Sequence, residues 1–119
     1  FGHPIGAFQA IKHRCADIAL ASELCWSQTL NAADALASGA GDAEFHVLAA
    51  KLLAGEEALK ATRFNIQAHG GMGLCQDTPI PTAFGYGRFV RLADGPDEVH
   101  MSQLAKWTIA KALKGSISG

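Results

Sequence analysis

The sequence predicts an all-α protein: an antiparallel four-helix bundle with two long helices and two shorter ones. Three observations lead there. Apolar residues recur every three or four positions over two stretches of roughly 28 residues. No run alternates apolar and polar residues with the two-residue period of a strand. Glycine- and proline-containing segments, FGHPIG, SGAGD, HGGMG and ADGPDE, fall between the periodic stretches and separate one helix from the next.

FGHPIG opens the chain as a loop, with Pro4 placed for the first turn of a helix, where a missing N–H is harmless. Phe8, Ile11, Cys15, Ile18, Ser22, Cys25, Thr29, Ala32 and Leu36 then form the seam of the first long helix. Glycines in SGAGD (38–42) supply its left-handed C-cap, and Asp42 is placed to N-cap the second helix. The second seam is Phe45, Leu48, Leu52, Gly55, Leu59, Thr62 and Ile66. Helices of this length run about 40 Å, and the short link makes them antiparallel neighbours. After the glycines, PIP (79–81) starts a third helix expected to end near Leu92. Asp97 is the expected N-cap of a last helix over 98–114, with Val99, Leu104, Trp107, Ile109 and Leu113 as its core and GSISG as a fraying tail.

With 119 residues, 49% of them apolar and 18% charged, the chain fits one soluble globular domain (1–119). A net charge of −1 without a basic run speaks against nucleic acid and anionic membrane surfaces as partners. No apolar stretch approaches the ~20 residues that span a bilayer. Phe1 is neither an initiator Met nor the start of a signal peptide, so the sequence reads as a piece of a longer protein or a processed product. Cys15, Cys25 and Cys75 match neither a zinc nor a CxxC spacing and read as buried free thiols in a reducing compartment. The five histidines offer no i, i+4 ligand pair and there is no HExxH, so no metal site is expected.

Two segments break the helical pattern where chemistry could sit. In QAHGGMG (67–73), a helix ends in Gly-Gly with its backbone uncovered: either a plain C-cap and turn, or a place where a flat or anionic group meets the main chain. In RLADGPDE (91–98), Asp97 holds the stronger capping position and Asp94 is left without a structural role. Asp94 is either a cap or a carboxylate desolvated in a pocket and acting as a general base.

Together these motifs resemble the C-terminal helical domain of the acyl-CoA dehydrogenases. FGHPIGAFQAIKHRCADI is similar to the family's FGxPIxxxQxIxxxLAxM opening, and QAHGGMG to its QIHGGxG signature. RFVRLADGPDEVH stands where the family carries RxxxIxEGTxEI. The resemblance implies the last third of a longer FAD enzyme that assembles as a homodimer or homotetramer. The reaction it implies is α,β-dehydrogenation of an acyl-CoA thioester: the pro-R α-hydrogen leaves as a proton, a hydride goes to flavin N5, and a trans-2-enoyl-CoA results. Asp94 matches the family's Glu base, as in a subgroup that uses Asp in an ADGPDE motif. Phe1, Phe8 and Gln9 match residues that touch FAD from a neighbouring subunit. Gln67, Gly70 and Gly71 match contacts to the FAD pyrophosphate and ribityl region across the dimer interface. Gly95 matches a position beside the thioester, and Pro96 and Asp97 match contacts to the flavin nucleotide.

Three departures follow from the same comparison. Asp94 is shorter than Glu by one methylene, about 1.5 Å of reach. Pro96 replaces a Thr and its hydroxyl contact. The family's Arg three residues ahead of FG falls ahead of Phe1. The resemblance further implies an electron-transferring flavoprotein as acceptor and a soluble protein of the bacterial cytoplasm or the mitochondrial matrix. Two other readings stay open: a non-catalytic helical oligomerisation module, and an acyl-CoA oxidase-like or nitroalkane oxidase-like flavoenzyme.

Overall fold

The computed structural model describes residues 1–117. A short 3-10 turn at Ile5–Ala7 leads into α1 (Gln9–Ala37), followed by α2 (Ala43–His69). A second 3-10 segment, Gly70–Leu74, precedes α3 (Ile80–Phe89) and α4 (Asp97–Ile117). There is no strand among the described residues. α4 runs three residues past its expected end, and the last two residues of the expected fraying tail lie outside the described residues.

The hairpin between α1 and α2 closes on a complete Schellman motif. Gly39 takes φ +68°, the Ala40 N–H donates to Ala35 O at 2.9 Å, and the Gly39 N–H donates to Leu36 O at 3.2 Å. Asp42 occupies the N-cap position of α2, but its carboxylate does not bond the first-turn N–H groups. It faces His46 Nε2 at 3.5 Å instead. His46 ties the hairpin together: its carbonyl accepts from Gln28 Nε2 at 3.2 Å, and its Nδ1 lies 3.0 Å from Asn31 Nδ2.

α2 is the spine. The α1 stripe that meets it is Ile11, Ile18, Ala21, Cys25, Gln28, Ala32 and Ala35. Half of the expected seam is therefore right: Ile11, Ile18, Cys25 and Ala32 face α2. The other row sits one position away, with Ala21, Gln28 and Ala35 in place of Ser22, Thr29 and Leu36. The steps from Ile18 to Ala35 run three, four, three, four, three, and small residues in the inner row let the helix axes approach. Leu36 and Cys15 consequently lie exposed, contrary to the expectation for both. Cys25 is half-buried, and that burial raises its thiol above the ordinary range, with the charge of Glu57 adding to the effect.

The expected α2 seam is covered along its whole length, from Phe45 to Ile66. Beyond His69 the chain folds back along α2. Gly73 meets Ile66, Gly87 meets Ala58 and Thr62, and Arg91 meets Gly55. Farther along, Trp107 of α4 stacks toward Phe45 with ring centroids 6.3 Å apart. α3 ends at Phe89 rather than near Leu92, and hydrogen-bonded turns carry the chain to Ala93.

Among the described residues α1 touches neither α3 nor α4, so the four antiparallel helices form a layer along α2 rather than closing on a common core. The chain measures 64 × 29 × 24 Å, with a radius of gyration of 18.4 Å where a compact domain of this length has about 13.5 Å. Its accessible surface of 8339 Å² compares with about 6,200 Å² for a compact monomer of its mass. Large apolar side chains contribute to it. Leu20, Leu24, Trp26 and Leu30 stand exposed on α1. On α4, Val99, Trp107, Ile109 and Leu113, expected in its core, are exposed as well. Among the described side chains of α4, the stripe of Asp97, His100 and Leu104 is the covered one, because α4 meets α2 along one narrow face.

Gly73 is set by contact: an added Cβ would stand 2.5 Å from Ile66 O and 2.8 Å from its Cα. Gly73→Ala should therefore destabilise the domain by about 2 kcal/mol, read as a lower urea midpoint with an unchanged slope.

Candidate active-site loop

The loop from Arg91 to Asp97 closes on itself. Arg91 Nε donates to Asp97 Oδ2, and the Asp97 N–H donates to Arg91 O at 3.3 Å. Asp97 is 4% exposed, so its charge needs this partner. It begins α4 as its first helical residue, with the carboxylate turned inward to Arg91, and the expected N-cap role passes to the preceding Pro96 position. Asp97 Oδ1 is left buried without a hydrogen-bond partner, as is His100 Nδ1. A cleft of about 280 Å³ lined by Arg88, Arg91, Leu92, Asp97 and Glu98 adjoins the loop. Nearby on α2, the hydrogen bond and charge of Lys60 hold the Glu56 carboxyl below its ordinary range, and Arg91 adds a smaller pull in the same direction.

Asp94 sits at the tip with φ +54°, among the described residues the only non-glycine with positive φ. Asp is one of the few side chains that tolerate this region, because it is short and polar. It is exposed, and among the described residues its carboxylate makes no hydrogen bond or ion pair. The pocket expected to desolvate it is not formed by this chain. Gly95 follows with φ +108°, and its α-carbon rests on the buried His100 ring: an added Cβ would stand 2.4 Å from Nε2. From the other side, Lys51 Nζ of α2 donates to Ala93 O and, at 2.6 Å, to Gly95 O.

The remaining candidates gather at the opposite end of the spine. Gln67 is exposed on the last turn of α2, and Gly70 ends it with φ +58°. Among the described residues, nothing beyond the adjoining chain lies within 4 Å of where a Cβ would stand at Gly70 or Gly71, so the backbone here is open to approach. Below them, Cys75 Sγ donates to Gly71 O at 3.3 Å and Thr78 Oγ1 to Met72 O at 3.0 Å. The antiparallel hairpin brings the start of α1 to this same end. There Phe1, 99% exposed, meets Phe8 edge to face at 6.0 Å, and the His3 ring lies 4.8 Å from Phe8. Gln9 begins α1 and is exposed.

Two groups therefore result: Asp94, Gly95, Pro96 and Asp97 on one loop, and Phe1, Phe8, Gln9, Gln67, Gly70 and Gly71 at one end. Sixteen residues of α2 separate Lys51 from Gln67, roughly 24 Å along the axis. Lys51, Arg91 and His100 were not among the expected site residues. Lys51 carried a readable signal, since it stands between Leu48 and Gly55 on the inward side of α2, where a charge needs a buried partner. Nothing in the sequence alone pairs Arg91 with Asp97, because that contact exists only once the loop has turned.

Fold and loop define a helical domain with uncovered apolar faces and a carboxylate displayed on a braced turn. The chain belongs to the acyl-CoA dehydrogenase family, as its C-terminal domain, whose family model matches residues 1–109. It is 34% identical over 115 residues to acyl-CoA dehydrogenase family member 11 of Gallus gallus, covering 96% of this chain and 15% of that protein. The Rattus norvegicus member 11 is 37% identical over 120 residues, with the same coverage. Among solved structures, a putative acyl-CoA dehydrogenase from Mycobacterium abscessus superposes with a TM-score of 0.88 at 36% identity. That match covers 94% of this chain and 28% of the other. The chain thus spans about 15% of the length of the curated relatives it matches. No helix among the described residues is long and apolar enough to cross a membrane.

His100 and Gly95 are coupled by contact. Gly95→Ala should lose about 2 kcal/mol of stability, and the Gly95→Ala, His100→Ala double variant should lose less than the sum of the two single changes in denaturant titrations.

Proposed function

We propose that this chain is the C-terminal domain of a longer FAD-dependent acyl-CoA dehydrogenase, in which Asp94 removes the α-proton of an acyl-CoA thioester. The observation that carries this reading is Asp94 itself: an exposed carboxylate without a partner among the described residues, held at positive φ on a loop braced from both sides. A strained backbone at the tip of a fixed loop has an energetic cost that a merely structural turn, free to use glycine, avoids. The aspartate stands where the resembled family places its base.

The chain's residues fit the cofactor at the other end. Gly70 and Gly71 leave open backbone beside the end of α2, which an anionic pyrophosphate can approach where a side chain would block it. Gln67 offers an amide beside them, and Phe1, Phe8 and Gln9 flank the same end with exposed rings and a second amide. FAD, when bound, supplies the acceptor for the β-hydride. Asp94 takes the α-proton as the double bond forms, and Gly95, without a side chain, leaves room for the thioester beside it. Pro96 and Asp97 set the far side of this loop toward the flavin nucleotide, Asp97 through its closure onto Arg91.

The two groups serve different cofactors in this reading, one from the chain's own flavin and one from a neighbour's. The uncovered apolar face of α1 fits self-association as a homodimer or homotetramer. An electron-transferring flavoprotein is the proposed acceptor. Faster reoxidation of the reduced enzyme by oxygen than by that flavoprotein would instead favour an oxidase-like relative. A purified enzyme lacking flavin absorbance would favour a non-catalytic module.

In the enzyme carrying this domain, Asp94→Asn should keep bound FAD and acyl-CoA affinity while turnover falls by about four orders of magnitude, measured by flavin bleaching with acyl-CoA. A near-normal rate would sink the assignment. Gly71→Ala should leave folding stability within about 0.5 kcal/mol, since its Cβ meets nothing in the chain. The same change should lower the flavin retained through purification, scored by the ratio of flavin to protein absorbance.

A further inference from the structure

The residues on either side of Asp94, Ala93 and Gly95, both point a carbonyl at one ammonium. Lys51 Nζ donates to Ala93 O at 2.5 Å and to Gly95 O at 2.6 Å. Lys51 is the ninth residue of a 27-residue helix, is half-buried, and forms no ion pair among the described residues. Its charge is committed to backbone oxygens on either side of a single residue. We propose that Lys51 is a positioning residue for Asp94, fixing the carboxylate by holding the main chain before and after it. The inference rests on Asp94 being the base.

The loop needs such a hold. Asp94 and Gly95 both have positive φ, a pair of conformations that persists only where the surroundings impose it. His100 supplies a floor beneath Gly95, but contact from below only prevents the loop from sinking. Two charge-assisted hydrogen bonds from α2 supply the opposing pull and fix the loop along the helix as well. A general base acts only within hydrogen-bond reach of its proton, and a 1 Å misplacement costs on the order of 10² in rate. Aspartate has one rotatable bond fewer than glutamate, so it is less able to make up for a displaced backbone by choosing another rotamer. A short base therefore transfers the requirement for position from the side chain to the loop.

The test uses the full enzyme, the saturated straight-chain acyl-CoA it turns over fastest, and an artificial electron-accepting dye. Lys51→Met should lower kcat about 100-fold with KM within about threefold, and retain the flavin spectrum. Hydrogen exchange at the Asp94 and Gly95 amides should accelerate in the same variant. Lys51→Arg, which keeps the charge and the donors, should fall only about tenfold, and carries the test if Lys51→Met does not fold. In an Asp94→Asn background, Lys51→Met should reduce single-turnover flavin bleaching by less than about twofold, because no base remains to be positioned. A kcat within about threefold of the unaltered enzyme, or an equally large fall in the Asp94→Asn background, overturns the positioning role. A normal rate for Asp94→Asn alone overturns the base reading instead, so the two failures are told apart.

Discussion

Everything in this chain is laid against α2. On one side α1 approaches through Ala21, Ala32 and Ala35; on the other the returning chain approaches through Gly73, Gly87 and the Arg91 stem over Gly55. The small residue is a geometric requirement at Gly73, where an added Cβ would overlap the α2 backbone; at Gly87 one would come into ordinary contact, 3.4 Å from Thr62 Oγ1. Close approach to α2 places the loop of Arg91–Asp97 over Lys51, and the first turn of α4 supports it from the other side through Asp97 and His100. The consequence for packing is equally direct. Helices that each meet only α2 bury one narrow stripe, and their outer faces stay apolar and uncovered.

Local periodicity made the elements legible. Both long helices, their hairpin and its left-handed glycine follow from residues within one or two turns of each other, and Gly39 behaves as its neighbours require. The α2 seam was readable for a further reason: a helix covered on two sides tolerates an error of one position. α1 is covered on one side only, and there the choice between i+3 and i+4 mattered. Leu36 looks like a core residue and is exposed, while Gln28 looks like a surface residue and bonds the His46 carbonyl. In α4 the same ambiguity was decided by contacts that hydropathy does not encode. Its covered stripe carries an aspartate and a histidine beside Leu104, while Ile109 and Leu113 face outward.

The loop separates into what sequence could and could not show. Asp94 stood out because Asp97 had the better claim to a capping position, and among the described residues its carboxylate has no hydrogen bond or ion pair. The reasons it stands where it does lie 43 residues earlier in Lys51 and six residues later in His100, and neither was visible as a partner before the chain had folded back. Asp97 was placed correctly at the start of a helix for a different reason than its actual one: an ion pair with Arg91 rather than a cap. Ionic and steric contacts across a turn leave no periodic trace, whereas a helix leaves one at every step.

The separation of the two groups along α2, roughly 24 Å, has a genetic reading. If Asp94 serves one flavin and the glycine end of the same chain serves its neighbour's, a lesion at each end strikes a different site. Consider a dimer pairing a chain altered only at Asp94 with a chain altered only at Gly71. One of its two sites then carries both lesions, and the other carries none. Two impaired parents would yield a hybrid with one intact site, a form of complementation that the length of a single helix makes available.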